Sequence, residues 1–314
     1  MASKSQRQQL QDKLDKQRAQ KLRQEVQRLE NKPFDVTFCH DEAAILRERW
    51  KIVKEEVFGS SDYWTFVKAN FPDDAREYGV KIITIKSAPT YVQDQLKKKN
   101  LKTLQSLQSP KLYHIRQSYV TNDGKVYIFM DLCGHNKFLA KNLTNYPKES
   151  RELKTKLWSK TVADGLSYLH GMGVAFGHNL TIDNFVLDSK DAVKLFGIES
   201  FHLSYTMSGT KVLCEVTDNT QWQYSAPEVM SGKHDEIAAD IYRLGIIIYY
   251  LMTDSYPFTS KDPKGLEQQM VSKSWDNGKI TSADCKNLLA TIFIADGVMR
   301  ATIDEIVGHK WFKV

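Results

Sequence analysis

The chain has 314 residues, 41% of them hydrophobic, which is enough apolar material for one large domain or two lobes with a real core. Its four cysteines (Cys39, Cys133, Cys214, Cys285) lie far apart with no Cys-x-x-Cys pair, which argues against a disulfide framework or a zinc site. The formal charge is +6, of which residues 1–32 contribute +5, so no nucleic-acid surface is expected on the body.

From Lys4 to Lys32 the sequence is rich in Gln, Lys and Arg, and Leu10, Leu14, Leu22, Val26 and Leu29 recur close to a helical face. The spacing predicts an isolated basic helix over residues 1–32, with a gap in its stripe near Gln17 and Arg18, too short for a coiled coil. The absence of an apolar signal-peptide core and the presence of Ala2 in place of glycine speak against secretion and myristoylation. Pro33 breaks the helix and opens a linker expected over 33–48.

Between residues 49 and 133 the pattern turns to short β-prone runs, Lys51–Val57, Trp64–Val67, Val80–Ile85 and Lys125–Met130, the last preceded by the turn Asn122-Asp123-Gly124. One helix, Tyr91–Leu107, interrupts this β-rich lobe. Residues 134–314 read as helical, with helices over Arg151–Leu169, Ile237–Met252, Cys285–Ile294 and Ile303–His309. Between the first two lies a long irregular segment, Ala175–Ala226, of a length that points to function or its remnant. The longest apolar run, Leu244–Met252, falls far short of the roughly 20 residues a membrane helix needs. No membrane contact and a cytoplasmic location are expected.

Tyr224-Ser225-Ala226-Pro227-Glu228, Asp240-Ile241-Tyr242-Arg243-Leu244-Gly245 and Met299-Arg300 with His309-Lys310-Trp311-Phe312 stand in the order of landmarks of a protein kinase. The stretch Arg49–Phe312 resembles that family, and Val80–Ile83, Lys86–Thr90 and Ala226–Met230 are most similar to the testis-specific serine/threonine kinases. The resemblance implies an α+β, bilobal fold: a small β-rich lobe with one helix, and a larger helical lobe.

Phosphoryl transfer needs a glycine-rich loop, a lysine held by a glutamate, metal-binding carboxylates and a catalytic aspartate. The loop candidate, Val57–Val67, has a single glycine and carries Asp62, so it reads as an ordinary hairpin. Lys81 stands where the resemblance places the nucleotide-gripping lysine, yet Tyr91–Leu107 contains no Glu, and Lys97, Lys98 and Lys99 or Asn100 occupy the partner's neighbourhood. The catalytic loop reads Gly177-His178-Asn179-Leu180-Thr181-Ile182-Asp183-Asn184: Asn179 replaces the base, Thr181 the lysine, and Asn184 alone is kept as a second metal ligand. An amide takes up no proton near neutral pH. His178, at the place of an arginine that faces the activation segment, is a poor substitute base. The metal-binding triplet becomes Gly197-Ile198-Glu199 or, with a gap, Leu195-Phe196-Gly197, and Glu199 reaches a metal only through a backbone shift.

The resemblance further implies structural roles for Glu228 and Arg300 as a buried ion pair and for Asp240 as the anchor of the catalytic loop, a hinge at Asp131 and Cys133, and a phosphorylation position at Thr217. The expected activity is that of a catalytically inactive kinase-like domain, a pseudokinase that binds or scaffolds. No cofactor is expected, and ATP or magnesium binding, if present, is weak and would use Lys81, Asn184, Asp131 and Cys133. The expected partner is a protein, an active kinase or a cytoskeletal or axonemal filament, reached through the N-terminal helix, with the cytoskeleton or sperm flagellum as its setting. Two alternatives stand beside this: a serine/threonine kinase of weak or atypical activity, and an ATP-binding switch without transfer.

Overall fold

The computed structural model describes residues 3–30, 36–48, 50–72, 74–96, 101, 103, 107–133, 137–197, 199, 201–206, 209–215 and 221–313, excepting the side chains of 25–30 and 36. In chain order the main elements are α1 (Lys4–Glu30), β1 (Val36–Cys39), α2 (Glu42–Arg47), β2 (Lys51–Ser60), β3 (Trp64–Asn70), β4 (Tyr78–Thr84), α3 (Thr90–Gln95), β5 (Ile115–Thr121) and β6 (Lys125–Asp131). They continue with β7 (Lys137–Phe138), α4 (Leu139–Asn142), α5 (Glu152–Gly171), β8 (Val174–Ala175), β9 (Phe185–Leu187), β10 (Val193–Leu195), β11 (His202–Leu203), α6 (Pro227–Met230), α7 (Glu236–Thr253), α8 (Pro263–Val271), α9 (Ala283–Ile292) and α10 (Ile303–Val307). No helix among the described residues is long and apolar enough to cross a membrane.

Two units emerge: a β-rich one of residues 25–138 and 186–200, and a helical one of 1–24, 139–185 and 201–314. In the first, a six-stranded sheet runs β1-β5-β6-β4-β3-β2. Its pairs are antiparallel except β1 with β5, which run parallel with Val36 opposite Ser118. Aromatic side chains build its core, Trp50 stacking on Phe129 at 4.1 Å and meeting Tyr78 edge-on at 5.2 Å. Ile45, Val67, Ala69, Val80, Tyr119 and Tyr127 complete this cluster.

The segment 33–48 is therefore not a plain linker where it is described. Val36–Cys39 is β-prone and finds a parallel partner in β5, and Asp41 caps α2 by accepting from the Ala44 N–H at 2.9 Å, so that Ile45 is fully buried. Four residues are too few for a strand pattern to stand out. The loop candidate Val57–Val67 is a hairpin, closed by the Ser61 N–H on the Trp64 carbonyl at 2.8 Å.

The helical unit is built around α7. This helix is mainly apolar, and every residue from Glu236 to Tyr249 except Ala238 is buried, as befits a helix in the middle of a core. Asp235 caps its start by accepting from the Ile237 N–H. Gly245 is required by the close approach of α9, since a Cβ there would lie 2.4 Å from the Ile292 side chain.

The N-terminal helix is not isolated. Through Gln24 it belongs to the helical unit, and its inward face runs Arg7, Gln11, Leu14, Asp15, Arg18, Ala19 and Leu22, with the last residue 4% exposed. Arg18 and Ala19, at the gap in the sequence stripe, are buried, whereas Leu10 points outward and is 49% exposed. Polar contacts set this rotation. Arg7 reaches the Arg300 carbonyl and Glu305, and Asp15 accepts from Tyr205 at 2.7 Å and Lys211 at 2.9 Å.

Candidate functional site

In the β-rich unit, strand alternation puts Val80 into one side of the sheet and Lys81 on the other. Lys81 is fully buried, and its Nζ donates to Glu199 Oε1 at 2.5 Å. The ammonium also lies 4.2 Å from the Trp64 ring centroid and 4.3 Å from that of Phe196. Phe196 is held in turn by Phe66 at 4.9 Å, Tyr113 at 5.2 Å and Phe138 at 5.5 Å. Burial lowers the Lys81 ammonium below the usual lysine range, with Glu199 opposing it. For this lysine to meet a phosphate, the rings of Trp64 and Phe196 must move.

Glu199 thus stands in contact with Lys81, the partner that Tyr91–Leu107 failed to supply. Lys97 to Asn100 lie outside the described residues. Gly197, the ungapped position of the metal carboxylate, has φ +109°, a conformation that side chains with a Cβ rarely adopt.

Asp131 ends β6, where it accepts from Arg116 Nε at 2.6 Å and Nη2 at 2.8 Å and faces His114 at 3.2 Å. Its backbone N–H bonds the His114 carbonyl. Cys133 lies next to Tyr113, and burial raises its thiol, leaving it neutral.

In the helical unit the catalytic-loop residues form a hydrogen-bonded turn. Asn184 Nδ2 donates to the Asn179 carbonyl at 2.9 Å, and Thr181, fully buried, reaches Asp183. Asp240, completely enclosed on α7, accepts from the Phe176 N–H at 2.6 Å and the Gly177 N–H at 3.0 Å, with His170 at 3.1 Å. His178 is buried, and its Nδ1 accepts from Arg243 Nη2 at 3.0 Å. Burial drives its pKa down to about 4, so the ring is neutral at physiological pH, but its surroundings are protein on every side. Arg243, quoted in the sequence only as part of the Asp240–Gly245 motif, is buried on α7 beside Glu236 and Asp240 and donates to Glu236 Oε1 at 2.8 Å.

Arg300 holds Glu228 with two parallel bonds of 2.6 and 2.8 Å and donates further to the carbonyls of Ala238 and Ile294. Thr217 lies outside the described residues.

A strand-built unit carrying a buried lysine, together with a helical unit whose catalytic loop hangs from an aspartate of its central helix, defines a protein-kinase fold. The protein kinase domain family matches residues 52–312, and the chain belongs to it. It is similar to testis-specific serine/threonine-protein kinase 3 of Mus musculus, 25% identical over 260 residues that cover 82% of this chain and 94% of that one. The Homo sapiens protein of the same name is also 25% identical, over 264 residues with the same coverage. Testis-specific serine/threonine-protein kinase 2 of Mus musculus is 27% identical over 279 residues, 87% of this chain and 76% of that one.

Proposed function

We propose that this kinase domain is catalytically silent and serves as a binding or scaffolding module. The observation that carries the reading is the covering of the Lys81 ammonium by the rings of Trp64 and Phe196. The substitutions Asn179 for the base, Thr181 for the lysine and Gly197 at the metal carboxylate point the same way. General-base catalysis alone is worth roughly 10² to 10⁴ in rate, so the loss of these parts together leaves little transfer.

The outward face of α1, where Leu10, Lys13, Lys16 and Lys21 are exposed, fits a protein partner with an acidic surface such as a cytoskeletal filament. Similarity to testis-specific kinases makes the germ-cell cytoskeleton the first place to look. Reversing Lys13, Lys16 and Lys21 to Glu spares the inward face and should abolish cosedimentation with that partner.

Thermal unfolding with ATP, with and without magnesium, tests the catalytic reading. A ligand at 100 times its Kd stabilises the native state by about 2.7 kcal/mol. No rise in melting temperature and no phosphate incorporation into a basic peptide are expected. A rise that disappears in Lys81→Met would establish a nucleotide switch, and incorporation an enzyme.

A further inference from the structure

Four side chains from three separate segments converge in the helical unit: His178 of the catalytic loop, Cys214 of the activation segment, and His234 and Glu236 at the start of α7. All four are buried, and one ligand atom of each lies within 4.8 Å of the others. His178 Nε2 stands 3.7 Å from Cys214 Sγ and 3.6 Å from Glu236 Oε1, and His234 Nε2 contacts Glu236 Oε2 at 2.5 Å. We propose that these residues form a structural site for a zinc-class metal ion, which fastens the activation segment to the catalytic loop and to the central helix.

Two imidazoles, one thiolate and one carboxylate are the donor types of zinc, and a set containing sulfur and nitrogen disfavours magnesium or calcium. With bonds of about 2.0 to 2.3 Å, the edges of a zinc tetrahedron are roughly 3.3 to 3.8 Å. The two His178 separations already have that length, while the His234–Glu236 contact has to open by about an ångström as the ion enters. The backbone supports the arrangement: Cys214 and His234 exchange both N–H···O bonds at 2.9 Å, which fixes their spacing. His234 Nδ1 faces the Gly232 carbonyl at 2.7 Å, an outer hydrogen bond that leaves Nε2 as the ligand atom.

The exchange also balances charge. A dication entering the cluster displaces the proton of the Cys214 thiol and the proton held between His234 and Glu236, so two positive charges replace two. Arg243 bonds Glu236 Oε1 at 2.8 Å and steadies that carboxylate. Its second contact is less favourable, since it donates to His178 Nδ1, where ligating histidines normally donate outward themselves. With Nδ1 accepting, the neutral His178 ring carries its proton on Nε2, so it completes the coordination only when Arg243 lets go and that proton shifts to Nδ1, which makes it the weakest of the four ligands. The cysteine spacing that spoke against a zinc site covers cysteine pairs alone and does not reach a mixed set assembled by the fold.

The test uses the untagged full chain, stripped with a chelator and titrated with zinc chloride and with cobalt chloride. The expected result is about one equivalent of zinc, a higher melting temperature on loading, and a thiolate-to-cobalt charge-transfer band. Cys214→Ser should lose the band, Cys39→Ser should keep it, and His178→Ala should bind about 10- to 100-fold more weakly. His234→Ala serves as the second ligand variant should Cys214→Ser fold poorly. A folded chain that takes up neither metal, or a cobalt band unchanged in both ligand variants, overturns the proposal.

Discussion

Lys81 and Glu199, 118 residues apart in sequence, form an ion pair in which neither side chain is more than 1% exposed. Both charges have lost their water, so each depends on the other. Glu199→Gln should cost about 3 to 5 kcal/mol by leaving a buried ammonium unpaired, whereas Lys81→Met with Glu199→Leu should recover most of that loss. Urea unfolding of the two variants decides. A Glu199→Gln protein within about 0.5 kcal/mol of the parent would remove the pair from the account of stability.

Glu228 and Arg300 make the corresponding bond in the helical unit, with the arginine side chain 1% exposed. Because Arg300 also donates to main-chain carbonyls near α7 and α9, losing its acid unsettles a junction as well as a contact. Glu228→Ala is expected to destabilise by about 3 to 5 kcal/mol, and Glu228→Gln by less, since one hydrogen bond survives. Equal melting temperatures for Glu228→Ala and the parent would contradict this.

The seat of α1 on the helical unit should depend on pH through Asp15. Burial acts to raise its carboxyl, but the bonds from Tyr205 and Lys211 outweigh that and hold it below the usual carboxylate range. A depressed folded pKa means that the contribution is fully present above the unfolded value, about 3.9, and is lost as pH falls through the folded one. Asp15→Asn should therefore be less stable than the parent at pH 7, by roughly 1.5 to 3 kcal/mol, and the gap should close below about pH 4. A gap that is constant from pH 7 to 3 would show that Asp15 is not the anchor.

The strands around Trp64, Lys81 and Lys125 and the helices beginning near Glu152, Glu236 and Ala283 were legible because their apolar residues repeat at the period of the element. β1 and α8 were not: a strand of four residues and a nine-residue helix with apolar anchors only at Leu266 and Met270 leave too little pattern. The stripe Leu10–Leu29 gave the helix but not its rotation, because Asp15 fixes the face through Tyr205 and Lys211 rather than through hydropathy. At the site, Asn179 and Thr181 could be read from residue identity alone as departures from the aspartate and lysine that the resemblance leads one to expect. The pairing of Lys81 with Glu199, and the gathering of Cys214 with His178 and His234, depend on tertiary closure that no local spacing records.

On the proposed reading, putting back single catalytic residues should fail, because Lys81 stays covered by Trp64 and Phe196 and the backbone at Gly197 resists a Cβ. Asn179→Asp returns a proton acceptor to the loop, but Lys81 remains enclosed, so no transfer to a basic peptide is expected. Adding Gly197→Asp places a Cβ on a residue with φ +109°, at a cost of about 1 to 3 kcal/mol, so the double variant should melt lower than either parent and still transfer nothing. Radiolabelled phosphate incorporation, followed beside thermal unfolding, checks both halves. Turnover approaching the roughly 1 to 100 per second of ordinary kinases in Asn179→Asp alone would mean that Lys81 escapes Trp64, Phe196 and Glu199 in solution, and that the missing base was the sole block.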